Sequence, residues 1–509
     1  MEQRKASDVA LWRWAFGGLV LALALAGGLR IWEIATAPPP NLLLISIDTL
    51  RADHLGCYGY PHPTSPNIDL AAAQGVVVER CISPRGLTLP ALATLLTGME
   101  TYHHKVRYNY HNPKGLVTLG HVFRDRGYLC RAYLANADVY AQHGFDSDSR
   151  GVTKDFPYDQ VRRDREITAF GVDFLKERRA NSKKPFFLWL HYMNPHRPYI
   201  PPDPWAQGLA RKNTRSAAFY NSHLEHYMAD REDLSDGRLR EIVDYYDACT
   251  AFTDSLVGQV LQTLREQKLE ENTLVVITSD HGEELYEHLH YFLHQVSTYD
   301  GTLHVPLIFL WKGTLPAGVR IPESVGLLNV APTLDELLGG KGNWNVDGIS
   351  FRDLLQTYAD ADNSSEADSI RRTWTERPIF IEMVRPEGNA YGVYQHPYKY
   401  VMYCYNPDET GFITQPVPVS GRRTARITYP PEELFDLAGD PGEIHNLVET
   451  LPAVRHQLKG LVKQTLDQYP EWQEVDVSVI DEEGRKTLEA MGYLTGDAAS
   501  RSGSAAICP

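Results

Sequence analysis

The sequence predicts a doubly wound α/β domain with a mostly parallel sheet, followed by a smaller antiparallel α+β domain. Three observations carry this prediction. Short apolar runs at residues 41–47 (NLLLISI), 185–190 (PFFLWL), 273–278 (TLVVIT) and 305–310 (VPLIFL) lack the alternation of a half-exposed strand. They read as strands buried on both faces, the mark of a parallel sheet. Helical periodicity lies between them, at 68–74, 91–96, 162–179 and 238–267, and strand–helix alternation on this scale builds a sheet covered by helices. Beyond residue 376, strand signals at 379–384, 391–394 and 398–403 follow one another directly, which reads as an antiparallel unit.

Composition agrees. The chain has 509 residues, 43% hydrophobic and 23% charged, too apolar for a disordered polypeptide and too charged for a polytopic membrane protein. Lys and Arg total 50 against 65 Asp and Glu, a formal charge of −15. That balance argues against a nucleic-acid-binding surface, which needs clustered cations. The six cysteines form no C-x-x-C pair, so a structural zinc site is not expected. Their wide spacing implies no particular disulfide.

Taken in order, residues 1–37 come first. Residues 14–29 are uncharged and almost wholly apolar, with Arg4, Lys5 and Arg13 before them and Arg30 and Glu33 after. If Arg13 and Arg30 snorkel, a helix over 11–32 is about 33 Å long, enough for a bilayer core. Trp12, Trp14 and Trp32 fall at its two interfaces, and the basic N-terminal flank orients it. This predicts a single-pass membrane protein with a cytoplasmic N-terminus and a periplasmic or extracellular catalytic domain. A signal peptide cleaved after Ala35-Thr36-Ala37 is the second reading, although Pro38-Pro39-Pro40 follows at once. Both readings export the main domain.

The α/β domain is expected over 38–345 and the C-terminal subdomain over 370–495. Residues 200–236, polar and broken by prolines, read as an insertion or lid. Residues 327–338 (LLNVAPTLDELL) read as the last helix of the first domain. The charged stretch 360–376 precedes the second, and 496–509 reads as a disordered tail.

Ligands of such sheets gather at the carboxyl ends of strands, and three features lie there. Asp48 ends the first strand, within DTLRAD. A lone carboxylate at such a point is more often a turn or cap residue. However, Asp280 and His281 end a second strand, in SDHGE. They add an oxygen and a nitrogen ligand side by side, with Gly282 free to turn tightly. Two strand-end carboxylates and a histidine point to a metal. Thr88 precedes Pro90, a residue suited to a first helical turn. A hydroxyl at a helix N-terminus, beside a metal and an anion site, is an activated nucleophile.

As a set, IDTLRADHLGCYGYPHPTSPNID (47–69), TLPALATLLTG (88–98), FFLWLHYMNPHRPY (186–199), ENTLVVITSDHGEEL (271–285), LHVPLIF (303–309), ELFDLAGDPGEIHNL (433–447) and LEAMGYL (488–494) resemble the sulfatase family of the alkaline-phosphatase superfamily, in the family's order. The resemblance implies one divalent ion (Ca, Mn, Mg or Zn) at Asp48, Asp280 and His281. Thr49 stands where a second acidic ligand is common, and Thr88 lies against the ion. It implies oxyanion contacts from His196 and from near His294, where 288–294 (HLHYFLH) holds three histidines. His191 and Arg51 are candidate substrate contacts.

The departures from the family shape the expected chemistry. Family sulfatases carry C-x-P-S-R or S-x-P-S-R, whose Cys or Ser becomes formylglycine. Here the matching position is Thr88, with Ala91 and Leu92 in place of Ser and Arg. Threonine is not a formylglycine precursor. The stretch 81–85 (CISPR) has its proline one place late and lies seven residues too early. A hydroxyl nucleophile resembles the relatives that transfer phosphoryl groups. It predicts a phospho-threonine intermediate, with His294 protonating the leaving oxygen. The expected function is therefore a hydrolase or transferase of phosphate or sulfate esters, with phosphodiester or phosphonate chemistry preferred. A sulfuric ester hydrolase and an inactive sulfatase-like binding protein are the alternatives. The expected substrate is a phosphate or sulfate ester, with a lipid head group or envelope glycan suggested by the tether.

Overall fold

The computed structural model describes residues 39–109, 115–136, 140, 143–152, 159–178, 184–209, 236–288, 292, 294, 297–342, 344–385, 388–405, 412–413, 426–427 and 429–468. The N-terminal apolar segment, most of the insertion and the C-terminal tail lie outside them. Among the described residues no helix is long and apolar enough to cross a membrane.

Eight strands form the main sheet: β1 (Asn41–Ile47), β2 (Val76–Ile82), β3 (Leu129–Leu134), β4 (Arg150–Gly151), β5 (Phe186–Tyr192), β6 (Thr273–Ser279), β7 (His304–Leu310) and β8 (Val319–Gly326). Their order is β4-β3-β5-β1-β6-β7-β2-β8. All run parallel except β7, which is antiparallel to both β6 and β2. The sheet is thus mostly parallel, as predicted. The four apolar runs are its strands, and β1, β5 and β6 are buried at every position. The apolar run of β7 looked no different, because central strands are buried on both faces whichever way they run. β2, β3, β4 and β8 were not expected. β2 and β3 carry charged residues at half-buried positions, and β8 contains Pro322, which an edge strand tolerates.

Alternate side chains feed two cores. Leu42, Leu44, Phe187, Trp189 and Val276 pack with Leu92, Leu95 and Leu96 of the helix Thr88–Thr97. Leu43, Ile45, Leu188, Leu190 and Ile277 pack with Ile167 of Gln160–Glu177 and with Phe252, Leu256 and Val260 of Asp236–Glu266 on the other face. The stretch 360–376 contains a helix, Ser365–Glu376, capped by the Ser364 side chain on the Ala367 N–H. Its Trp374 packs in the first core.

A separate antiparallel sheet follows, in the order β14-β11-β10-β9. It comprises β9 (Ile379–Arg385), β10 (Gly388–Gln395), β11 (Tyr398–Tyr405) and β14 (Glu432–Asp436), and the pair β12 (Phe412–Ile413) and β13 (Arg426–Ile427) forms a short ladder of its own. The helix Pro452–Leu466 covers one face through Leu458 and Val462. Cys404 is disulfide-bonded, with its partner outside the described residues, whereas Cys57, Cys81, Cys130 and Cys249 are free.

Polar pairs lock the two sheets together. Arg85 reaches Glu382 Oε1 at 3.1 Å and the Val384 carbonyl at 2.8 Å. Lys399, 1% exposed, donates to Thr298 O and Asp300 Oδ1, each at 3.0 Å, and pairs with Glu443. An ammonium has three donors, and here each has an acceptor. Lys399→Met removes the cation from between buried Glu443 and half-buried Asp300 and is expected to cost about 3–5 kcal/mol, read as a lower denaturant midpoint. A loss below about 1 kcal/mol, the range of a surface pair, would show that the cluster is not a lock.

Candidate active site and metal centre

The site begins with strand register. β1 and β6 pair in parallel with Ile47 opposite Ser279, so Asp48 and Asp280 leave the sheet side by side. The exit is stapled from several directions. Ser279 Oγ accepts the Leu50 N–H at 3.1 Å and lies 2.5 Å from the Ile47 carbonyl. Tyr246 donates its hydroxyl to the Thr49 carbonyl at 2.7 Å and accepts the Arg51 N–H at 3.0 Å. Gly282 is required where it stands, because a Cβ there would meet the Gly301 carbonyl oxygen at 2.1 Å.

Asp48, Asp280 and His281 converge, with one ligand atom of each within 4.8 Å of the others. His281 Nε2 lies 3.7 Å from Asp48 Oδ1 and 3.5 Å from Asp280 Oδ2. Its Nδ1 faces the Gly282 carbonyl at 2.9 Å. A carbonyl only accepts, so Nδ1 carries the proton and Nε2 offers a lone pair. Asp48 Oδ1 and Asp280 Oδ2 are buried and make no hydrogen bond to the described residues. Burial, and then the Asp280 carboxylate, push the Asp48 carboxyl well above its usual range. Two adjacent buried carboxylates with orphaned oxygens and an imidazole lone pair fit a divalent cation, which would neutralise what the protein leaves unpaired.

Thr88 opens the helix Thr88–Thr97 as its first helical residue and is 2% exposed. Its Oγ1 lies 3.4 Å from His281 Nε2, so the hydroxyl adjoins the proposed ligand atom. The helix end is less open to an anion than its position suggested, since Asn109 Oδ1 accepts the Leu89 N–H at 2.9 Å. Cys81 of the decoy CISPR stretch is fully buried in β2, and burial raises its thiol far out of the reactive range.

Three expected histidines surround this centre. His294 is the member of the 288–294 segment beside it, its ring centroid 4.5 Å from that of His281 and 5.2 Å from that of His196. His288 instead stacks on Tyr299, and His290 lies outside the described residues. Burial, then His281 and Arg197, lower His294 well below its usual value. His196 is lowered to about 3, by burial and then by His294. Its Nδ1 sits 2.5 Å from the Arg197 carbonyl, to which it donates. His191, fully buried, holds Ser46 Oγ at 2.8 Å through Nδ1, and its Nε2 has no hydrogen bond to the described residues.

Two other expected residues take backbone-supporting positions. Thr49 donates its hydroxyl to the Asp48 carbonyl at 2.7 Å and, at φ 58°, directs its N–H to Asp280 Oδ1 at 3.4 Å. Arg51 forks onto Asp53 at 2.9 and 2.7 Å and reaches Glu287 at 2.5 Å and the Glu283 carbonyl at 3.1 Å. These partners brace the 280–287 turn where a substrate contact was expected.

Sequence reasoning missed Asn136 and Glu283. Asn136, two residues past β3, donates from Nδ2 to Asp48 Oδ2. A polar residue just beyond a strand's carboxyl end was the available signal. Glu283 Oε1 lies 2.8 Å from His294 Nδ1. Buried Asp164 also supports the site, gathering the Met193 N–H at 2.7 Å and the Asn194 N–H at 3.0 Å. It thereby holds the turn that carries His196.

An α/β sheet brings paired strand-end carboxylates, a histidine and a hydroxyl at a helix start to one centre, the arrangement that the resemblance to the alkaline-phosphatase superfamily implies. The sulfatase family model matches residues 40–340, more than half of the chain, and the protein belongs to the sulfatase family of ester-hydrolysing enzymes. Members of this family generally bind a divalent metal ion. Arylsulfatase K of Rattus norvegicus is 23% identical, over 86% of this chain and 80% of the relative. A sulfatase of Formosa agariphila is 25% identical, over 79% and 82%. Among solved structures, the phosphonate monoester hydrolase of Agrobacterium radiobacter superposes with a TM-score of 0.62 at 20% identity, covering 85% of this chain and 96% of that one.

If the converging trio holds the ion, Asp280→Asn loses it. Metal analysis of the purified protein is expected to fall from a single ion per chain to a small residue. Wild type is expected to gain about 2.7 kcal/mol of stability at a free-ion concentration 100 times Kd, a gain the variant lacks. Wild-type ion content in Asp280→Asn would refute the site.

Proposed function

We propose that the protein is an exported, metal-dependent ester hydrolase or transferase whose nucleophile is Thr88, with phosphodiester or phosphonate substrates preferred. The observation that carries this reading is the 3.4 Å approach of Thr88 Oγ1 to His281 Nε2, at a helix start facing two orphaned carboxylate oxygens. Threonine at this position closes the aldehyde route to sulfate release and leaves direct attack by a hydroxyl. The Cys404 disulfide supports export, since such bonds persist in oxidising compartments.

A divalent cation bound by Asp48, Asp280 and His281 would supply Lewis-acid stabilisation of the reacting oxygens. The chain's own residues do the rest. Thr88 Oγ attacks phosphorus, its proton passing to neutral His294 at Nε2. The bond to the leaving oxygen breaks, and that oxygen takes the proton. Phospho-Thr88 results. Water, or an acceptor alcohol, then attacks the same phosphorus, giving a proton to His294 that restores the Thr88 hydroxyl as the product leaves. The positive end of the helix Thr88–Thr97 offsets charge on the phosphoryl oxygens. With Leu92 where the family has Arg, that offset is weaker than in relatives.

Sulfate esters are the second reading. The names of the relatives favour it: arylsulfatase K, and a solved neighbour bound to its substrate D-glucosamine-2-N,6-O-disulfate at a TM-score of 0.64 and 18% identity, covering 85% of this chain and 98% of that one.

Turnover of nitrophenyl phosphodiester, phosphonate and sulfate by the metal-loaded protein separates the readings. The phosphorus substrates are expected to lead. Thr88→Ala is expected to lose on the order of 10³-fold or more in kcat while keeping its ion, and only wild type should yield a phosphorylated Thr88 peptide after quenching. Equal rates for wild type and Thr88→Ala, or no turnover by either, would refute the nucleophile.

A further inference from the structure

We propose that Tyr246 is a positioning residue for the metal centre: its hydroxyl pins Thr49 in a left-handed turn and so fixes the two strand-end carboxylates relative to each other. The inference rests on the trio Asp48, Asp280 and His281 holding an ion, and it does not depend on Thr88.

The turn after β1 is unusual in one torsion. Thr49 sits at φ 58° and is fully buried. Left-handed backbone is rare for any residue but glycine, and rarer for a β-branched one, because Cβ crowds the neighbouring backbone. Such a conformation persists only where its surroundings over-determine it.

The backbone groups of residues 48–51 show what does so. The Asp48 N–H donates to the Tyr192 carbonyl at 2.9 Å, and the Leu50 N–H to Ser279 Oγ at 3.1 Å. The Thr49 hydroxyl closes on the Asp48 carbonyl at 2.7 Å. Those partners belong to the sheet or to the turn itself. The Thr49 carbonyl and the Arg51 N–H instead meet at one atom, the Tyr246 hydroxyl, at 2.7 and 3.0 Å. A carbonyl only accepts and an amide N–H only donates, so both roles of that hydroxyl are settled. The pin spans Leu50 and comes from outside the sheet, from the helix Asp236–Glu266. Tyr246 is itself fully buried, with the rings of Tyr199 and His54 edge-on at 5.7 and 5.0 Å. Packed between them, the ring holds its hydroxyl in place.

What the pin sets is the pair of carboxylates. Asp48 directly precedes Thr49 in the chain. With Thr49 left-handed, its N–H points at Asp280 Oδ1 from 3.4 Å, leaving Oδ2 as the orphaned oxygen. Relaxing Thr49 to an ordinary torsion turns the peptide between Asp48 and Thr49. That takes the N–H from Asp280 and re-aims Asp48, so the two ligand oxygens lose their shared spacing. Groups that orient metal ligands without touching the ion typically change its affinity about 10–100-fold.

Tyr246→Phe, Thr49→Gly and the two combined test this. Calorimetric titration of the metal-stripped full chain with Ca²⁺, Mn²⁺, Mg²⁺ and Zn²⁺ in turn reads the affinity, and the tightest of these serves the comparison. Tyr246→Phe keeps the ring and removes only the hydroxyl. It is expected to weaken ion binding about 10–100-fold. Glycine adopts a positive φ without strain, so the double variant no longer needs the pin. It is expected to bind at least about fivefold more tightly than Tyr246→Phe, a coupling between the two sites. A hydroxyl that only stabilised the fold would give no such rescue. Reciprocity adds a wild-type readout: if the pinned turn favours the ion, the ion favours the pinned turn. Bound ion is expected to slow hydrogen exchange at the Leu50 and Arg51 amides at least about tenfold more than at amides of the C-terminal sheet.

A loss below about tenfold in Tyr246→Phe, or a smaller rescue in the double variant, would overturn the proposal. Should Tyr246→Phe not fold, the exchange readout decides, and slowing short of that margin would overturn it. An inactive wild type that binds its ion as described would sink the Thr88 reading and leave this one intact. A wild type that binds none of these ions would overturn this proposal together with the site.

Discussion

Everything at the reacting centre depends on the parallel pairing of β1 with β6. Because Ile47 stands opposite Ser279, the next residue of each strand is a carboxylate emerging at the same height. A slip of one residue would turn one of the two to the other face of the sheet. Register is enforced by the cores on both faces, where Leu42 and Leu44 point one way and Leu43 and Ile45 the other. The hydrophobic effect thus places the charges.

Placing them there is costly. Two carboxylates buried together oppose each other's ionisation, and the protein answers with little: an Asn136 amide on one oxygen of Asp48 and backbone N–H groups on Asp280. Cationic side chains nearby are turned elsewhere, Arg51 to Asp53 and Glu287. The arrangement makes sense if the missing positive charge comes from outside the chain. The same burial lowers His196 and His294 from their usual values.

Legibility in the sequence followed burial and covalent neighbourhood. Strands buried on both faces announced themselves as apolar runs; Asp48 directly follows one, and Asp280 and His281 lie within three residues of the end of another. β2 and β3, with Glu79, Arg80 and Arg131 at half-buried positions, gave no run to read. The helix Ser365–Glu376 hid in a charged stretch because its apolar contribution is slight, chiefly Ala367 and Trp374. A motif shows that Arg51 is a cation but not the partners that the fold gives it, Asp53 and Glu287. Glu283 was passed over for a related reason. Its partner, His294, follows in a segment with three histidines, and only the fold selects among them.

The most direct test is a crystal structure of the metal-loaded protein, with the ion located by its anomalous scattering. The account predicts one ion bound by Asp48 Oδ1, Asp280 Oδ2 and His281 Nε2, with the Thr88 hydroxyl turned toward it within bonding reach. An ion held elsewhere, or a Thr88 side chain rotated away from the trio, would contradict it.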